Sequence, residues 1–104
     1  NCDVLAEVFE KIKAPYVKGR VWTTDSMLRE TKGLVAKRKG EGCIAVEMEL
    51  AGVQAICDFY GLELYDFLEA GDVLGDSGYE FEGLHDANHN VGKALIALEA
   101  ATYL

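Results

Sequence analysis

Apolar positions at the start of the chain recur at the spacing of an amphipathic helix. Four of them stand at i, i+3, i+4 and i+7: Leu5, Val8, Phe9 and Ile12. The pattern predicts a helix with Asp3 as its N-cap. Pro15 is expected to stop this helix, because proline disfavours the helical conformation in the residue that precedes it.

The next segments predict a strand and a short helix. Residues 16–22 alternate between apolar and polar side chains well enough for a strand. Residues 32–39 predict a helix with Thr31 as its cap, and the glycines at 40 and 42 are expected to end it.

A second strand and helix follow. The continuous apolar run at residues 43–46 is typical of a buried strand. After it we expect a helix that ends at Tyr60, because Gly61 is a favourable residue for a helix C-terminus. The apolar side of this helix is predicted to be buried through four residues: Val53, Ile56, Cys57 and Tyr60.

Residues 62–70 are ambiguous. Their charged positions Glu63, Asp66 and Glu69 recur every three residues, which taken alone favours a helix. The segment starts directly after Gly61, however, and reaches Gly71 after too few residues for a typical helix. We therefore predict a third strand here.

The C-terminal part of the chain predicts a loop and then a helix. Three glycines mark an acidic loop: Gly75, Gly78 and Gly83. Residues 88–104 predict the final helix. One side of that helix carries Val91, Leu95, Leu98 and Thr102.

The alternation of helices and strands predicts the fold class. Helix, strand, helix, strand, helix, strand and helix in that order indicate an α/β layered fold with a mostly parallel sheet. Three strands make a small sheet for such a fold, since strands buried on both faces need helices on both sides. We expect the N-terminal part of the fold to be absent from this chain.

Composition narrows the classes of partner. A chain of 104 residues fits one small domain, and its net charge of −8 argues against binding to a phosphate backbone. Lys37, Arg38 and Lys39 are interpreted as a solvated helix face. Three cysteines without a CxxC pair fit a reducing cytoplasm. We expect no membrane partner, because the chain shows neither a signal peptide nor an apolar run long enough to span a bilayer.

The segment Glu47-Met48-Glu49 is the most informative candidate for chemistry. It lies between a predicted buried strand and a helix, and ligands of α/β proteins bind beyond the carboxyl ends of strands. An acidic residue at a helix N-terminus also stabilises the helix by itself. For Glu49 alone, that structural interpretation is favoured.

The stretch from Val46 to Gly52 resembles the signature of the nucleoside phosphorylase/nucleosidase superfamily, which includes purine nucleoside phosphorylases, uridine phosphorylases and related nucleosidases. The resemblance implies a layered α/β/α fold. It also implies that Glu49 holds the ribose hydroxyls, that Met48 packs against the sugar and that Glu47 lines the same pocket. A carboxylate suits a ribose diol, because it accepts hydrogen bonds from both hydroxyls.

The resemblance extends to Asp72. The separation between Glu49 and Asp72 is 72 − 49 = 23 residues, which agrees with the family's spacing between the sugar-binding glutamate and the catalytic aspartate. It implies that Asp72 is a general acid that protonates a departing purine base. Such an acid needs a raised pKa to work near neutral pH. Taken alone, Asp72 is a turn residue after Gly71.

The same resemblance places Met27 where the family has an aromatic residue that stacks on the base. Methionine can cover a flat ring with its polarisable sulfur. Asp25 is interpreted either as a helix cap or as a ligand contact. This segment follows the Thr23-Thr24 pair, which we interpret as part of a polar turn.

His85 and His89 stand at i, i+4 and raise the question of a metal site. The spacing matches HExxH only loosely, so a polar helix start capped by Asp86 or Asn88 is favoured and no metal is predicted. A further hypothesis makes His85 the proton partner of Asp72.

The function implied by the resemblance is nucleoside phosphorolysis, with nucleoside and phosphate as substrates and no cofactor. The glycine-containing phosphate loop of the family has no counterpart here, so we expect the isolated chain to be inactive. Hydrolysis by a nucleosidase is a close variant, and a homo-oligomer is expected by analogy. The alternative is a non-catalytic nucleoside-binding or oligomerisation module. Two features favour it, namely the missing phosphate half and the acidic Asp66 and Glu69 within a predicted core strand.

Overall fold

A computed structural model describes residues 1–71, 73–75, 78–80 and 89–104. The chain divides into two compact units, one formed by Asn1–Tyr16 with Tyr65–Leu104 and the other by Val17–Leu64. The described helices and strands, in chain order, are α1 (Cys2–Lys11), β1 (Arg20–Thr23), α2 (Lys32–Gly40), β2 (Cys43–Glu47), α3 (Leu50–Tyr60), β3 (Val73–Gly75), β4 (Gly78–Glu80) and α4 (His89–Ala101). A 3₁₀ turn at Met27–Arg29 lies between β1 and α2.

The unit Val17–Leu64 is built on a parallel strand pair. β1 pairs with β2 from Arg20 opposite Cys43 to Thr23 opposite Glu47, with an irregularity after Arg20. β1 is shorter than the predicted strand 16–22. The strand predicted at residues 43–46 is confirmed as β2, but the prediction that it is buried is wrong, since Ile44 and Ala45 are exposed. An apolar run shows that side chains are apolar without showing what covers them. Gly19 lies where a Cβ would collide with the side chain of Ile44, so a glycine allows the chain to approach β2 closely as β1 begins.

Helix α2 contacts this strand pair. Its cap is Thr31, as predicted, and the Thr31 hydroxyl accepts a hydrogen bond from Leu34 N–H at 3.3 Å. The guanidinium of Arg38 lies 5.4 Å from the ring centroid of Trp22. Arg38 therefore does not belong to the solvated helix face that was predicted for it together with Lys37 and Lys39. The Arg38 guanidinium also pairs with Glu41 at 2.9 Å.

Helix α3 ends as predicted but is not buried as predicted. Gly61 takes the left-handed conformation at φ 66°, and Leu62 N–H returns to the carbonyl of Cys57 at 2.8 Å. Val53, Ile56 and Tyr60 are exposed, with Ile56 at 60%, and Cys57 is only half-buried. The prediction that these four residues are buried is wrong in this structure, because a helical pattern shows which side is apolar without showing what covers it.

The other unit has its core between α1 and α4. Buried Leu5, Val8 and Phe9 of α1 meet Ala100 of α4, with Ile12 and Ile96 partly buried beside them. The Phe9 ring makes edge-to-face contacts with Tyr16 and Phe67, at centroid distances of 5.9 and 5.2 Å. The predicted apolar face of α1 is confirmed.

The ends of α1 differ from the prediction. Asn1 occupies the N-cap position, while Asp3 lies in the first turn, where its negative charge favours the helix dipole. The helix ends at Lys11, so Pro15 is not the residue that ends it. Lys13 adopts φ 57°, the left-handed conformation that usually belongs to glycine. Ala14 N–H then bonds to the carbonyl of Phe9 at 3.0 Å, which completes a Schellman motif.

The predicted third strand is wrong. Residues 62–70 form neither a helix nor a strand. The side chains of Tyr65 and Phe67 pack against the α1 core, so their alternation reflects burial without strand pairing. The acidic Asp66 and Glu69 therefore do not lie in a core strand, and Glu69 forms an ion pair with Lys93 at 3.6 Å.

The predicted glycine-marked loop contains a short hairpin instead. β3 and β4 are antiparallel, with Leu74 opposite Tyr79 and Gly75 opposite Gly78, while Gly83 lies outside the described residues. Helix α4 begins at His89 and ends at Ala101, inside the predicted range 88–104. Its predicted apolar side is exposed at Val91, Leu95 and Leu98.

The α/β fold class is confirmed. Helices alternate with the parallel pair β1–β2, although the described strands also include the antiparallel pair β3–β4. None of the helices in the described ranges is long and apolar enough to cross a membrane.

Candidate functional site

The candidate site lies where β1 and β2 end side by side. Thr23 and Glu47 are the last residues of the two strands and are partners in the register. Because the strands are parallel, the segments that follow them start from the same edge. Thr24 N–H continues the strand pairing by donating to the carbonyl of Glu47 at 2.9 Å. The sequence-predicted residues Met27 and Glu47 to Glu49 follow from these two strand ends.

The carboxylate of Glu47 caps the start of α3. One oxygen, Oε2, accepts hydrogen bonds from Glu49 N–H at 2.7 Å and from Leu50 N–H at 2.5 Å. The other oxygen, Oε1, accepts a hydrogen bond from the hydroxyl of Thr23. These bonds satisfy N–H groups that have no partner within the helix. The side chain of Glu47 is therefore fully engaged within the protein.

The surroundings of Glu47 stabilise its charged form. Partial burial raises the pKa of the Glu47 carboxyl, but the hydrogen bonds from Thr23, Leu50 and Glu49 together outweigh that effect and hold the pKa below its ordinary value of 4.5. Glu47 is thus a charged helix cap in the neutral pH range. It is poorly suited to donate a proton there.

Thr23 joins both strand ends to the helix. While its hydroxyl donates to Glu47, the same oxygen accepts a hydrogen bond from Ala51 N–H at 3.2 Å. Sequence reasoning missed this residue, because it assigned Thr23 to a polar turn. The usable signal was a hydroxyl at the end of one strand and a carboxylate at the end of its parallel neighbour.

Glu49 has different surroundings from Glu47. It occupies the N-cap position of α3, with φ −122°, yet its side chain makes no capping bond. The capping role considered for the Glu49 side chain is carried by Glu47 instead. Glu49 is exposed, and its Oε2 accepts a long hydrogen bond of 3.3 Å from Met48 N–H. Within the described chain, its Oε1 accepts none.

Met48 and Met27 present apolar groups in the segments that follow the strands. Met48 is 44% exposed and adjoins the carboxylate-bearing Glu49 in the chain. Met27 is exposed at the start of its 3₁₀ turn. That turn is capped by Ser26, whose hydroxyl accepts from Leu28 N–H at 3.2 Å.

Asp25 does not cap the turn that carries Met27. Its carboxylate pairs with the guanidinium of Arg29 at 3.3 Å, and both side chains are well exposed. Thr24 is buried, and its hydroxyl donates to the carbonyl of Ser26 at 3.1 Å. Thr24 therefore fixes the chain just before Met27, as Thr23 fixes the chain around Glu47.

Asp72 and His85 lie outside the described residues, as do Asp86 and Asn88. The general-acid role of Asp72 and the partnership of His85 with Asp72 stay predictions. Among the residues that the structure describes, His, Cys, Asp and Glu side chains form no group of three or more that could hold a metal ion.

The comparisons with known proteins identify the family. The family model described as the phosphorylase superfamily matches residues 2–101, nearly the whole chain. No curated protein and no solved structure gives a significant match. The resemblance carried by Glu47-Met48-Glu49 is confirmed by this family match. The chain belongs to the phosphorylase superfamily.

Proposed function

We propose that this chain carries the ribose- and base-binding side of a nucleoside phosphorylase, which cleaves the N-glycosidic bond of a purine or uridine nucleoside with phosphate. The superfamily binds nucleoside and phosphate substrates, which supports chemistry of this general type. In this proposal Glu49 and Met48 contact the ribose, Met27 lies against the base and Asp72 is the general acid.

The observation that carries the proposal is the exposed carboxylate of Glu49. Glu47 is occupied as a cap, while Glu49 is exposed and accepts a single long hydrogen bond from the residues that the structure describes. A ribose 2′,3′-diol offers two adjacent donors, and a carboxylate accepts both with charge-assisted bonds. The negative charge also stabilises a ribose that becomes positively charged as its bond to the base breaks. In this proposal Glu47 holds the turn and Glu49 meets the sugar.

The proposed reaction exchanges one bond for another at the anomeric carbon. A phosphate oxygen forms a bond to C1′, while the bond from C1′ to the base nitrogen breaks and its electron pair stays with the base. Asp72 gives a proton to a ring nitrogen of a purine, because a purine anion is a poor leaving group. The products are the free base and ribose 1-phosphate. The reaction needs no cofactor.

Each of the three arginines of this chain has a partner within the chain. Arg20 donates to the carbonyl of Glu41 at 3.1 Å, Arg29 pairs with Asp25, and Arg38 pairs with Glu41 beside Trp22. We propose that phosphate is held by groups outside this chain's candidate site, in keeping with the family's phosphate loop. The 104-residue chain alone is then expected to be inactive, and we expect the complete protein to form a homo-oligomer by analogy with the family.

The test is an assay of the protein that contains this chain, with inosine, adenosine or uridine as substrate. Base release that requires phosphate supports phosphorolysis, and release without phosphate indicates a nucleosidase. Asp72→Asn is expected to lower turnover by about a hundredfold or more, the range typical for a lost general acid. Glu49→Ala is expected to lower turnover by a similar factor, because the charge that stabilises the reacting ribose is lost. Glu7→Ala is the matched control, because Glu7 is an exposed glutamate on α1. Wild-type turnover in both Asp72→Asn and Glu49→Ala would refute the proposed roles.

The non-catalytic alternative loses one of its two sequence arguments. Asp66 and Glu69 were expected to disturb a core strand, and residues 62–70 form no strand. The same assay separates the two functions. Nucleoside binding without base release, in the presence and absence of phosphate, would favour a binding module.

A further inference from the structure

We propose that Thr23 is a positioning residue that holds the turn of Glu47, Met48 and Glu49 in the geometry needed to receive a ribose. The inference rests on the proposed function, because it assigns Glu49 to the sugar. Thr23 acts through its neighbours and does not itself react. Its hydroxyl is the point where three elements of the unit Val17–Leu64 meet: β1, β2 and α3.

The hydroxyl of Thr23 can hold two other groups at once. A threonine hydroxyl has one proton to donate and two lone pairs that accept. Thr23 uses the proton on Glu47 Oε1 and accepts from Ala51 N–H at 3.2 Å. Both bonds are made at once, so the hydroxyl is tied to the segment before the turn and to the segment after it.

The turn of Glu47, Met48 and Glu49 is held at its first residue. Its first residue, Glu47, is held by Thr23 on one side and by the N–H groups of Glu49 and Leu50 on the other. The side chain of Glu49 makes no capping bond. These bonds hold the backbone of Glu49, so they fix the place in the turn from which its carboxylate extends.

The strand pairing does not depend on the hydroxyl of Thr23. β1 and β2 are paired through their backbones, and Thr24 N–H extends the pairing to the carbonyl of Glu47 at 2.9 Å. Valine has nearly the shape of threonine and favours strands equally well. Thr23→Val therefore removes the hydroxyl bonds and leaves the strand pair in place.

The experiment compares four proteins: the wild type, Thr23→Val, Thr23→Ser and Thr31→Val. Thr31→Val is the matched control, because it removes a threonine hydroxyl that caps α2 through Leu34 N–H. Two properties are measured, namely the affinity for inosine and uridine by titration calorimetry and the titration of the Glu47 carboxyl by ¹³C NMR. The amide signal of Ala51 is recorded in the same NMR samples.

In Thr23→Val, nucleoside affinity is expected to fall about tenfold, the effect of losing one to two well-placed hydrogen bonds. The pKa of Glu47 is expected to rise, since one of the donors that stabilise its charged form is gone. Thr23→Ser restores the hydroxyl and is expected to return affinity and pKa to near wild-type values. Thr31→Val is expected to lose helix stability without a change in affinity.

Two results would overturn the proposal in a protein that binds nucleoside. One is an unchanged affinity in Thr23→Val. The other is an equal loss of affinity in Thr23→Val and Thr31→Val, because that pattern indicates general destabilisation.

A wild type that binds neither inosine nor uridine contradicts the proposed function, and the NMR readings then judge Thr23 separately. A shifted Glu47 pKa and a shifted Ala51 amide in Thr23→Val would support the anchoring of the turn. Unchanged signals would overturn it.

Discussion

Glu47 and Glu49 lie on either side of Met48, and their carboxylates have opposite surroundings. Glu47 accepts hydrogen bonds from a hydroxyl and two backbone N–H groups, while Glu49 is exposed and accepts one long bond within the described part of the chain. Two acidic residues of one motif therefore have separate tasks. Glu47 stabilises the start of α3, and Glu49 is available to a ligand. The difference leads to the first two predictions.

Glu47→Ala is expected to lower the free energy of unfolding by about 1 kcal/mol, the usual cost of a lost helix cap. The N–H groups of Glu49 and Leu50 lose their acceptor in this variant. Glu49→Ala is expected to change the free energy by less than about 0.5 kcal/mol, as exposed substitutions usually do. Urea unfolding of both variants measures the difference. Equal destabilisation would contradict the division of tasks.

Acidification is expected to weaken the fold through Glu47. Burial alone raises the pKa of Glu47, but its three hydrogen bonds lower the pKa below 4.5 in the folded state. A carboxyl with a lowered folded-state pKa contributes stability that is complete above the unfolded-state pKa and is lost as the pH falls through the folded-state pKa. Unfolding free energy should therefore fall less steeply in Glu47→Ala than in the wild type between about pH 5 and about pH 3.

The control for the pH series is Glu49→Ala, which keeps the Glu47 cap. Its unfolding free energy should follow the acid dependence of the wild type. An equally steep acid dependence in Glu47→Ala and in the wild type would show that other carboxyl groups account for the loss.

Lys13→Gly is expected to stabilise the protein by about 0.5 to 1 kcal/mol, because a left-handed conformation costs a residue with a Cβ about that much. Lys13 has φ 57° at the end of α1, the position that Gly61 holds with φ 66° at the end of α3. Gly61→Ala is the reciprocal variant and is expected to destabilise by a similar amount. Thermal unfolding of both variants provides the measurement. A lower stability in Lys13→Gly would contradict the account.

Met27→Phe is expected to tighten the binding of a purine nucleoside about threefold, since an aromatic ring stacks on a base more favourably than a thioether does. Met27→Ala is expected to weaken binding by a similar factor. Both expectations depend on the proposed place of Met27 near the base. Leu28, which is 92% exposed in the same turn, offers the control variant Leu28→Ala. Equal affinities in the two Met27 variants, measured by calorimetry, would remove Met27 from the base site.

The sequence predicted those features that depend on local chemistry. Thr31 caps α2 and Gly61 ends α3, because each signal needs only the adjacent turn of chain. The short apolar run after Gly42 likewise predicted the strand β2. The motif of Glu47 to Glu49 indicated the family, and the family model that matches residues 2–101 confirms it.

The features that the sequence did not predict depend on distant partners. Thr23 and Glu47 are 24 residues apart in the chain, so their hydrogen bond was invisible until β1 and β2 were paired. The short segment between Gly61 and Gly71 suggested a strand, but a strand needs a hydrogen-bonded neighbour, and the rings of Tyr65 and Phe67 pack on Phe9 and its core instead. The left-handed conformation of Lys13 was also not predicted, because that conformation usually belongs to glycine.

The capping of α3 has a consequence for the second substrate. Helix N-termini often attract anions, because their free N–H groups and positive dipole favour negative charge. Here the first N–H groups of the helix already bond to Glu47 and Thr23, and Gly52 N–H bonds to the carbonyl of Glu49 at 3.1 Å. A phosphate dianion that approached this helix end would meet the repulsion of a fixed carboxylate. In the proposed reaction, we therefore expect the phosphate to reach C1′ of the ribose from a side away from the start of α3.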